Sequence, residues 1–416
     1  MRTLADWLAH QQAQHTRDID LGLERVGAVA QRLGVLPYPI PTVIVGGTNG
    51  KGSTTAFLTS LGRAAGLKVG TYTSPHLQRY NERIAIDGEP VADAALVEAF
   101  EVIESVRGET PLTFFEYGTL AALQIFCSQA VDLAVLEVGL GGRLDATNLV
   151  DAEVAVLCSV GLDHTDWLGP TREHIGREKA GIFRAGRPVV LGSADMPKSV
   201  HEYIAALGCE AVWPGEGYEI ETVLAGLPAL GLSGPIQRGN AAAALVAFRA
   251  LVQRQPALAH RRVLDTAWAG EGLSKARLRG RFQRLAAVSP DGPEWILDVA
   301  HNEDSARTLA ESLAALPCSG RTWAVVGILA DKDAAAIGRV LASSIDGWVL
   351  CGIAGDRGVD AETLRGRLPS ACRSVALAPD IGHGCATAAA LASAGDRVVV
   401  FGSFHAVGPA LDWLGL

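Results

Sequence analysis

The sequence has few aromatic side chains, no excess of positive charge and no long uninterrupted hydrophobic run. Its 36 lysines and arginines are outnumbered by 45 aspartates and glutamates, which gives a formal net charge of −9. General nucleic-acid binding needs clustered cations that neutralise phosphates, so we expect no nucleic-acid partner. The longest apolar candidate, 241–252, contains Arg249 and falls short of the roughly 18 residues of a membrane span, so we expect no membrane partner.

Cysteine occurs only as scattered residues. The seven cysteines are odd in number and none forms a C-x-x-C pair, which is typical of reduced thiols in apolar cores. Residues 1–10 lack the basic segment and apolar core of a secretory signal. We therefore expect a cytoplasmic protein, and we expect it to act as a monomer.

Hydrophobic residues make up 49% of the 416 residues, enough to fill the cores of two or three domains. A β-branched run at 42–45, a Gly-rich turn, a helical segment at 53–65 and a run at 68–72 predict a β-α-β unit with parallel strands. A D-G turn at 87–88 predicts a small hairpin. Further buried strands are predicted at 133–138, 154–160 and 188–191.

The turn after Val45 reads G-G-T-N-G-K-G-S, at residues 46–53. Its glycines let successive backbone N–H groups converge on an anion, and the helix that follows adds the positive end of its dipole. Lys51 can reach the outer phosphates of a nucleotide, and the Ser53 hydroxyl lies near the place of Mg²⁺. The loop is one residue shorter than G-x-x-x-x-G-K-[ST], and Gly52 occupies the usual hydroxyl position. The alternative interpretation is a simple Gly-rich turn with an exposed lysine.

The tail of the chain repeats a strand followed by a helix, which predicts an open doubly wound sheet. Its strands are predicted at 294–299, 322–328, 348–352, 374–378 and 398–401. The fold class is therefore α/β. We predict an N-terminal P-loop nucleotide-binding domain with a mostly parallel sheet at 1–275, a Gly- and Arg-rich linker at 276–288, and a C-terminal Rossmann-like doubly wound α/β domain at 289–416.

Several longer strings run in order over nearly the whole chain. They are T-N-G-K-G-S-T at 48–54, Y-T-S-P-H-L at 72–77, F-F-E-Y-G-T-L at 114–120, L-E-V-G-L-G-G-R-L-D-A-T-N at 136–148, L-D-H-T-D-W-L-G at 162–169, G-R-E-K-A-G-I-F at 176–183, G-R-F-Q at 280–283, D-V-A-H-N at 298–302 and G-S-F-H at 402–405. Jointly they resemble the folylpolyglutamate synthase and dihydrofolate synthase branch of the Mur-ligase superfamily. The resemblance implies a first domain of the Mur-ligase central-domain type, an ATP-dependent amide ligase activity, and ATP with Mg²⁺ as cofactors.

Two residues that follow predicted strands suit metal chemistry. Glu137 ends an apolar strand, where a carboxylate points into the crevice that binds ligands, and a hard oxygen suits Mg²⁺. A capping or surface acid is the alternative for Glu137, and a structural role is the ordinary interpretation of the lone His164. The resemblance implies that Ser74, Glu137 and His164 are the metal ligands, serving two Mg²⁺ sites.

Other residues gain a nucleotide role from the resemblance. Asn240 is expected at the start of a helix, where capping alone would explain it. Arg281, in the predicted linker, has a guanidinium suited to phosphate, or is a solvated hinge arginine. The resemblance implies nucleotide contacts from Thr48, Asn49, Gly50, Lys51, Gly52, Ser53, Asn240, Arg281 and Asp298. The family commonly reads H-N-P where this chain has His301, Asn302 and Glu303.

The resemblance implies catalytic roles for Lys51, Lys179 and His301. Lys179 would be carbamylated by CO₂, which turns a cation into a carboxylate-like group. Carbamylation needs the neutral amine, so burial that lowers the lysine pKa favours it. A solvated or ion-paired lysine is the alternative.

The resemblance also implies a pterin pocket lined by three segments. Phe114 and Phe115 can stack on a flat heteroaromatic ring, although core packing explains at least one of them, and Asp145 can accept from ring N–H groups. The lining residues are Ile19, Asp20, Leu21, Thr113, Phe114, Phe115, Glu116, Leu144, Asp145 and Ala146. Glutamate contacts are expected in the tail domain, near Ser403 and His405.

The expected reaction joins L-glutamate to dihydropteroate and to folates through an acyl phosphate, because a carboxylate is otherwise a poor acyl donor. An enzyme that only extends folylpolyglutamate is the near alternative, and a cell-wall Mur ligase is the next. A nucleotide-dependent switch is a third, although it leaves the second α/β domain without a role.

Overall fold

A computed structural model of the chain describes residues 2–14, 19–261, 265–285 and 292–416. The chain divides into two compact units. The first comprises Met1–Gly231 and Arg238–Arg277, and the second comprises Leu232–Gln237 and Leu278–Leu416. Within the described ranges, no helix combines the length and the apolar character needed to cross a membrane.

The first unit is built on a mostly parallel sheet with the strand order β4-β3-β2-β5-β1-β6-β7-β8. The strands are β1 (Thr42–Gly46), β2 (Val69–Tyr72), β3 (Ile84–Ile86), β4 (Glu89–Pro90), β5 (Leu133–Glu137), β6 (Val154–Leu157), β7 (Pro188–Leu191) and β8 (Glu210–Val212). Among the described strand pairings of this sheet, β2-β3 and β3-β4 are antiparallel and the others are parallel. The strands β1, β2, β5, β6 and β7 are buried along their whole length, as expected for a sheet covered on both faces.

Helices cover this sheet. They are α1 (Leu4–Gln14), α2 (Glu24–Leu33), α3 (Lys51–Ala64), α4 (Asp93–Arg107), α5 (Phe114–Ser128), α6 (Thr165–Leu168), α7 (Arg172–Ala180), α8 (Lys198–Leu207), α9 (Ile220–Val223), α10 (Ile236–Arg254) and α11 (Thr266–Lys275), with short 3₁₀ helices at Tyr80–Arg83, Ala146–Leu149 and Pro256–Arg261. The expected helix after the phosphate loop is α3, and Lys179 lies near the end of α7.

The second unit contains a sheet with the order β13-β12-β11-β14-β10-β9. Its strands are β9 (Gln283–Leu285), β10 (Glu294–Leu297), β11 (Thr322–Val326), β12 (Gly347–Cys351), β13 (Ser374–Ala378) and β14 (Arg397–Phe401), and its helices are α12 (Glu303–Ala315), α13 (Ala334–Leu341), α14 (Ala361–Arg367), α15 (Ile381–Leu391) and α16 (Phe404–Trp413). The five strands β10 to β14 pair in parallel, so the predicted α/β fold class, with a doubly wound second sheet, is confirmed.

Three details differ from the sequence-based expectation. Asn240 does not begin a helix, because α10 already starts at Ile236, one turn earlier. The predicted linker at 276–288 contains β9, which pairs antiparallel with β10 and belongs to the second sheet. The short strand β8 at the edge of the first sheet was not predicted from the sequence.

Candidate functional site

Four parallel strands of the first unit end at the same edge of the sheet. β1 lies between β5 and β6, and β2 lies on the other side of β5. The segments that leave their carboxyl ends are therefore neighbours: the phosphate loop after β1, the Ser74 loop after β2, Glu137 on β5 and the His164 segment after β6. Ligands bind at this edge in open α/β sheets.

The phosphate loop, residues 46–53, is held in shape by the segment that follows β6. The Thr48 N–H donates to the Ser159 carbonyl over 2.9 Å, and the Asn49 N–H donates to the Ser159 hydroxyl over 3.0 Å. Gly50 has φ 91°, and a Cβ there would lie 2.9 Å from Oδ1 of Asn240. Glycine is therefore required at position 50, and Asn240 borders the loop; its contact with the nucleotide stays a prediction.

Two lysines converge on this loop. The Lys51 amine donates to the carbonyls of Gly47 and Thr48 over 2.9 and 3.2 Å, and the Lys179 amine donates to the Gly47 carbonyl over 3.0 Å. Lys179 is only 5% exposed. Burial, and then the nearby Lys51 cation, lower the pKa of Lys179 to about 7. Two amines, one of them buried, thus meet at the backbone of the phosphate loop.

The residues predicted to bind metal fit a magnesium ion. Glu137 lies opposite Val45 in the sheet and is 4% exposed, so its carboxylate is a buried hard oxygen beside the phosphate loop. His164 has φ 52°, a conformation that costs energy for a residue with a side chain and clusters at functional sites. Among the described residues no three His, Cys, Asp or Glu side chains form a closed metal cage. Mg²⁺ is bound by one or two carboxylates together with waters and substrate phosphates, so the buried carboxylate of Glu137 suits it.

The segment 113–116 begins helix α5 with a capping box. The Thr113 hydroxyl accepts from the Glu116 N–H over 3.2 Å, and the Glu116 carboxylate accepts from the Thr113 N–H over 2.7 Å. Both aromatic side chains that follow pack on tyrosines. Phe114 meets Tyr80 edge-on with ring centroids 5.3 Å apart, and Phe115 lies tilted against Tyr72 at 5.8 Å.

The segment 144–146 is organised by Asp145, which is 3% exposed. Its carboxylate accepts from the Leu140 N–H over 2.8 Å, the Thr147 N–H over 3.0 Å and the Thr147 hydroxyl over 2.6 Å. Burial raises the pKa of Asp145, and the Thr147 hydrogen bond opposes this rise. A Cβ on Gly139 would lie 2.5 Å from the Phe115 ring, so the loop after β5 passes directly over this ring. Asp145 therefore has a structural role in addition to any contact with a ligand.

The second unit groups its own candidate residues beside the carboxyl ends of β10 and β14. Asp298 accepts from the Phe282 and Ala300 N–H groups over 2.7 and 2.8 Å. Desolvation raises the pKa of Asp298, and the Arg281 cation opposes this, although part of the side chain reaches solvent. The His301 Nδ1 is 2.7 Å from the Val299 carbonyl, which can only accept, so Nδ1 carries a proton.

Sequence reasoning missed a basic cluster in this second unit. Lys332, after β11, is 8% exposed, and its amine is 3.8 Å from Asp331. Arg357 donates to both carboxylate oxygens of Asp331 over 2.9 and 2.8 Å. The signal that could have revealed it is the string A-D-K-D at 330–333, which places charged residues in the loop that follows a buried strand.

Each of the two units matches a known protein family. Residues 45–216 match the Mur ligase middle domain, and residues 280–404 match the "Mur ligase, glutamate ligase domain". The chain is 44% identical to the dihydrofolate synthase/folylpolyglutamate synthase of Escherichia coli strain K12, over 98% of this chain and 95% of that protein.

Solved structures agree over the same length. Escherichia coli FolC in complex with DHPP and ADP is 41% identical with a TM-score of 0.90, covering 100% of this chain and 98% of that one. A Yersinia pestis folylpolyglutamate synthase/dihydrofolate synthase complexed with AMPPNP and Mn ion is 41% identical with a TM-score of 0.89, covering 100% of this chain and 99% of that one.

Proposed function

The chain belongs to the dihydrofolate synthase/folylpolyglutamate synthase family of the Mur ligases, and we infer that it is an ATP-dependent ligase that adds L-glutamate to 7,8-dihydropteroate, forming dihydrofolate, and to tetrahydrofolate or folylpolyglutamates. The observation that carries this inference is the match over 98% of the chain, which includes both the phosphate-loop unit and the glutamate ligase domain. ATP and a divalent metal ion are its cofactors, as the ligands of the similar structures indicate.

The reaction has two steps. A carboxylate oxygen of the pterin substrate attacks the γ-phosphorus of ATP, the bond to ADP breaks, and an acyl phosphate forms. The amine of glutamate then attacks the acyl carbon, phosphate leaves, and the amine loses a proton as the amide forms. Catalysis in such a reaction consists of positioning and of neutralising charge on the transferred phosphoryl group.

We assign the positive charge for the first step to Lys51, because its amine already lies over the carbonyls of the phosphate loop. The Thr48 and Asn49 N–H groups already donate to Ser159, so the backbone N–H groups of 50–53 would cradle the phosphates, with Asn240 beside Gly50. In the second unit, Arg281 and Asp298 are the proposed nucleotide contacts and His301 the proposed catalytic residue. These assignments rest on the family resemblance together with the positions described above.

Magnesium is the proposed metal, held by Ser74, Glu137 and His164. When bound, it would offset the negative charge of the phosphates and orient them. Glu137 contributes the buried carboxylate. The strained backbone of His164 fixes the position of its Cβ, from which the imidazole ring extends. Substituting Glu137 by Gln should raise the metal concentration needed for half-maximal activity. The matched control is Glu101→Gln, at an exposed position on α4, which should leave that concentration unchanged.

Lys179 is the proposed carbamylation site. The neutral amine attacks the carbon of CO₂ and loses a proton, which leaves a negative group on the lysine. A pKa of about 7 keeps part of the Lys179 amine neutral at physiological pH, and the new negative charge would attract Lys51 instead of repelling it. Mass spectrometry of the native protein in bicarbonate buffer should find the added mass of one CO₂, which is lost on acidification. Lys179→Ala and Lys179→Arg should both reduce turnover strongly, and near-full activity of either contradicts the role.

The pterin ring would lie among the segments 19–21, 113–116 and 144–146, with Phe114 or Phe115 stacked on it. For glutamate, the acidic amino acid of the reaction, we propose the basic cluster at Lys332 in the second unit, because a buried amine at a sheet edge suits a carboxylate. Ser403 and His405 are the further candidates there. A cytoplasmic location and a monomeric state stay predictions.

One assay tests the function and separates its alternatives. The protein is incubated with ATP, Mg²⁺ and glutamate, first with dihydropteroate and then with tetrahydrofolate, and the products are weighed. A glutamyl unit on both acceptors supports the bifunctional ligase, and one on tetrahydrofolate alone indicates a folylpolyglutamate synthase only. ATP hydrolysis that needs neither acceptor indicates a nucleotide switch. Transfer of labelled oxygen from the acceptor's carboxylate to phosphate tests the acyl phosphate.

A further inference from the structure

Arg25 joins two distant segments of the first unit. It lies in the first turn of α2, with a side chain that is 21% exposed. Its Nη1 is 2.5 Å from Oδ2 of Asp20, and its Nη2 donates to the Asp20 carbonyl over 3.0 Å. The same guanidinium donates to both carboxylate oxygens of Glu116, over 2.8 Å from Nη2 and 3.3 Å from Nε. One planar cation therefore binds the segment 19–21 and the segment 113–116 together.

The Glu116 side of this contact is rigid. The Glu116 side chain is 4% exposed, and its Oε2 also accepts from the Thr113 N–H over 2.7 Å in the capping box of α5. Arg25 therefore uses the first turn of a buried helix as its anchor. The Asp20 side is a chain segment without helix or strand, which gains its position from the guanidinium.

The contact between Asp20, Arg25 and Glu116 requires an arginine at position 25. Asp20 and Glu116 are two carboxylates with one cation between them, so removing Arg25 leaves two like charges, one of them buried, facing each other. Lysine would keep the charge, but it is a point charge that cannot present the flat fork by which a guanidinium binds two carboxylates at once.

We propose that Arg25 is a positioning residue for the pterin substrate: by fixing the segment 19–21 against the segment 113–116, it sets the spacing of two walls of the pterin pocket. This rests on the proposed function, which assigns both segments to that pocket. Arg25 acts through Asp20 and Glu116, and touches neither ATP nor the transferred phosphoryl group in the reaction described above.

The test compares Arg25→Met and Arg25→Lys with a control on the same helix. Arg32, also on α2, donates to the carbonyls of Val106 and Arg107 over 3.1 and 2.8 Å and contacts neither pterin segment. KM for dihydropteroate, KM for ATP, kcat and Tm are measured for wild type, both Arg25 variants and Arg32→Met. The Asp20→Asn variant, which removes the ionic part of one arm and leaves Arg25 paired with Glu116, is measured in parallel in case Arg25→Met fails to fold.

The positioning role predicts an increase of about tenfold in KM for dihydropteroate in Arg25→Met, a smaller increase in Arg25→Lys and Asp20→Asn, and KM for ATP within about twofold of wild type. Arg32→Met should lower Tm without changing either KM. An Arg25→Met variant whose two KM values rise together, or stay at wild type while Tm falls, overturns the positioning role. A wild-type protein that ligates no glutamate overturns the proposed function, and this inference with it.

Discussion

The side-chain amines of Lys51 and Lys179 donate to the same backbone oxygen, that of Gly47, over 2.9 and 3.0 Å. Lys51 begins α3, and Lys179 lies 128 positions later in the sequence (179 − 51 = 128) at the end of α7; they meet because both helix ends lie beside the same loop. Two cations at this separation repel, and the pKa of Lys179 falls to about 7 because of burial and this repulsion. Either a bound polyphosphate or a negative group on Lys179 would relieve the repulsion, which ties the pair to the proposed chemistry.

Replacing Lys179 by Met should stabilise the nucleotide-free protein in CO₂-free buffer. A lysine whose pKa is lower in the folded than in the unfolded protein binds more protons when unfolded, so it destabilises the fold at low pH, and this cost disappears as the pH rises from about 7 to about 10.5. The gain in the free energy of unfolding should be a few kcal/mol near pH 7 and small near pH 10. Urea unfolding at several pH values measures it.

The matched control for Lys179→Met is Lys275→Met. Lys275 is 69% exposed and pairs with Glu271 over 2.9 Å on one face of α11. Its removal should change stability by less than about 0.5 kcal/mol at either pH. A Lys179→Met variant that is less stable than wild type near pH 7 would show that the buried amine is well compensated, contrary to this prediction.

Replacing Lys51 by Met should lower kcat by about 10²- to 10³-fold, the usual effect of removing one electrostatic group from a site of charge transfer. The variant loses the hydrogen bonds from the amine to the Gly47 and Thr48 carbonyls, each worth about 1 kcal/mol, so its Tm should fall by only a few degrees. Steady-state kinetics of phosphate release with dihydropteroate and glutamate present measures kcat. A Lys51→Met enzyme with wild-type kcat excludes the lysine from the phosphoryl step.

Local patterns predicted the elements around the phosphate loop, and tertiary contacts decided the rest. The β-branched run of β1 and the glycines after it belong to one short stretch, so the strand, the loop and α3 were visible in the sequence. Asn240 was expected to begin a helix as its cap, because asparagine favours that position, yet α10 runs through it from Ile236. The contact between Arg25 and Glu116 spans 91 positions, and no local pattern encodes it.

Replacing Gly118, inside helix α5, by alanine should lower the stability of the protein, although helix propensity alone would raise it. A Cβ at Gly118 would lie 2.8 Å from the hydroxyl oxygens of both Tyr72 and Tyr80. Gly118→Ala should therefore destabilise the protein by about 1–3 kcal/mol, as overpacking does, although alanine favours helices. Gly239→Ala on α10 is the control, because its Cβ would meet only Ile220, at 3.9 Å.

The close approach of the Tyr80 hydroxyl to position 118 can also be tested by changing Tyr80. Its hydroxyl is buried with no hydrogen-bond partner among the described residues, and burial raises the pKa of Tyr80 to about 12. Tyr80→Phe should be neutral or slightly stabilising, because it removes an unsatisfied polar group. In the Tyr80→Phe background, Gly118→Ala should cost less than in wild type, by urea unfolding of the four proteins. Purely additive free energies would disprove the contact.

The ionised carboxylate of Glu104, on α4, should make the stability of the first unit depend on pH below about 4.3. Its carboxylate accepts two hydrogen bonds of 2.7 Å from Arg107 and one of 2.8 Å from the Tyr117 hydroxyl, and the Arg107 contact above all lowers the pKa of Glu104 to about 2. A carboxyl group with a lower pKa in the folded protein stabilises the fold above its unfolded pKa of about 4.3, and this stability is lost as the pH falls toward 2. Because the group is partly exposed, solvent screening limits the contribution to about 1 kcal/mol. Glu104→Gln should therefore be less stable than wild type at pH 7, and the gap should narrow in urea unfolding between pH 4.5 and pH 3. The control for Glu104→Gln is Glu98→Gln, at an exposed position on the same helix, whose stability should follow that of wild type at every pH. If the difference in the free energy of unfolding between Glu104→Gln and wild type stays constant down to pH 3, the packing of Glu104, rather than its charge, holds α4 against α5.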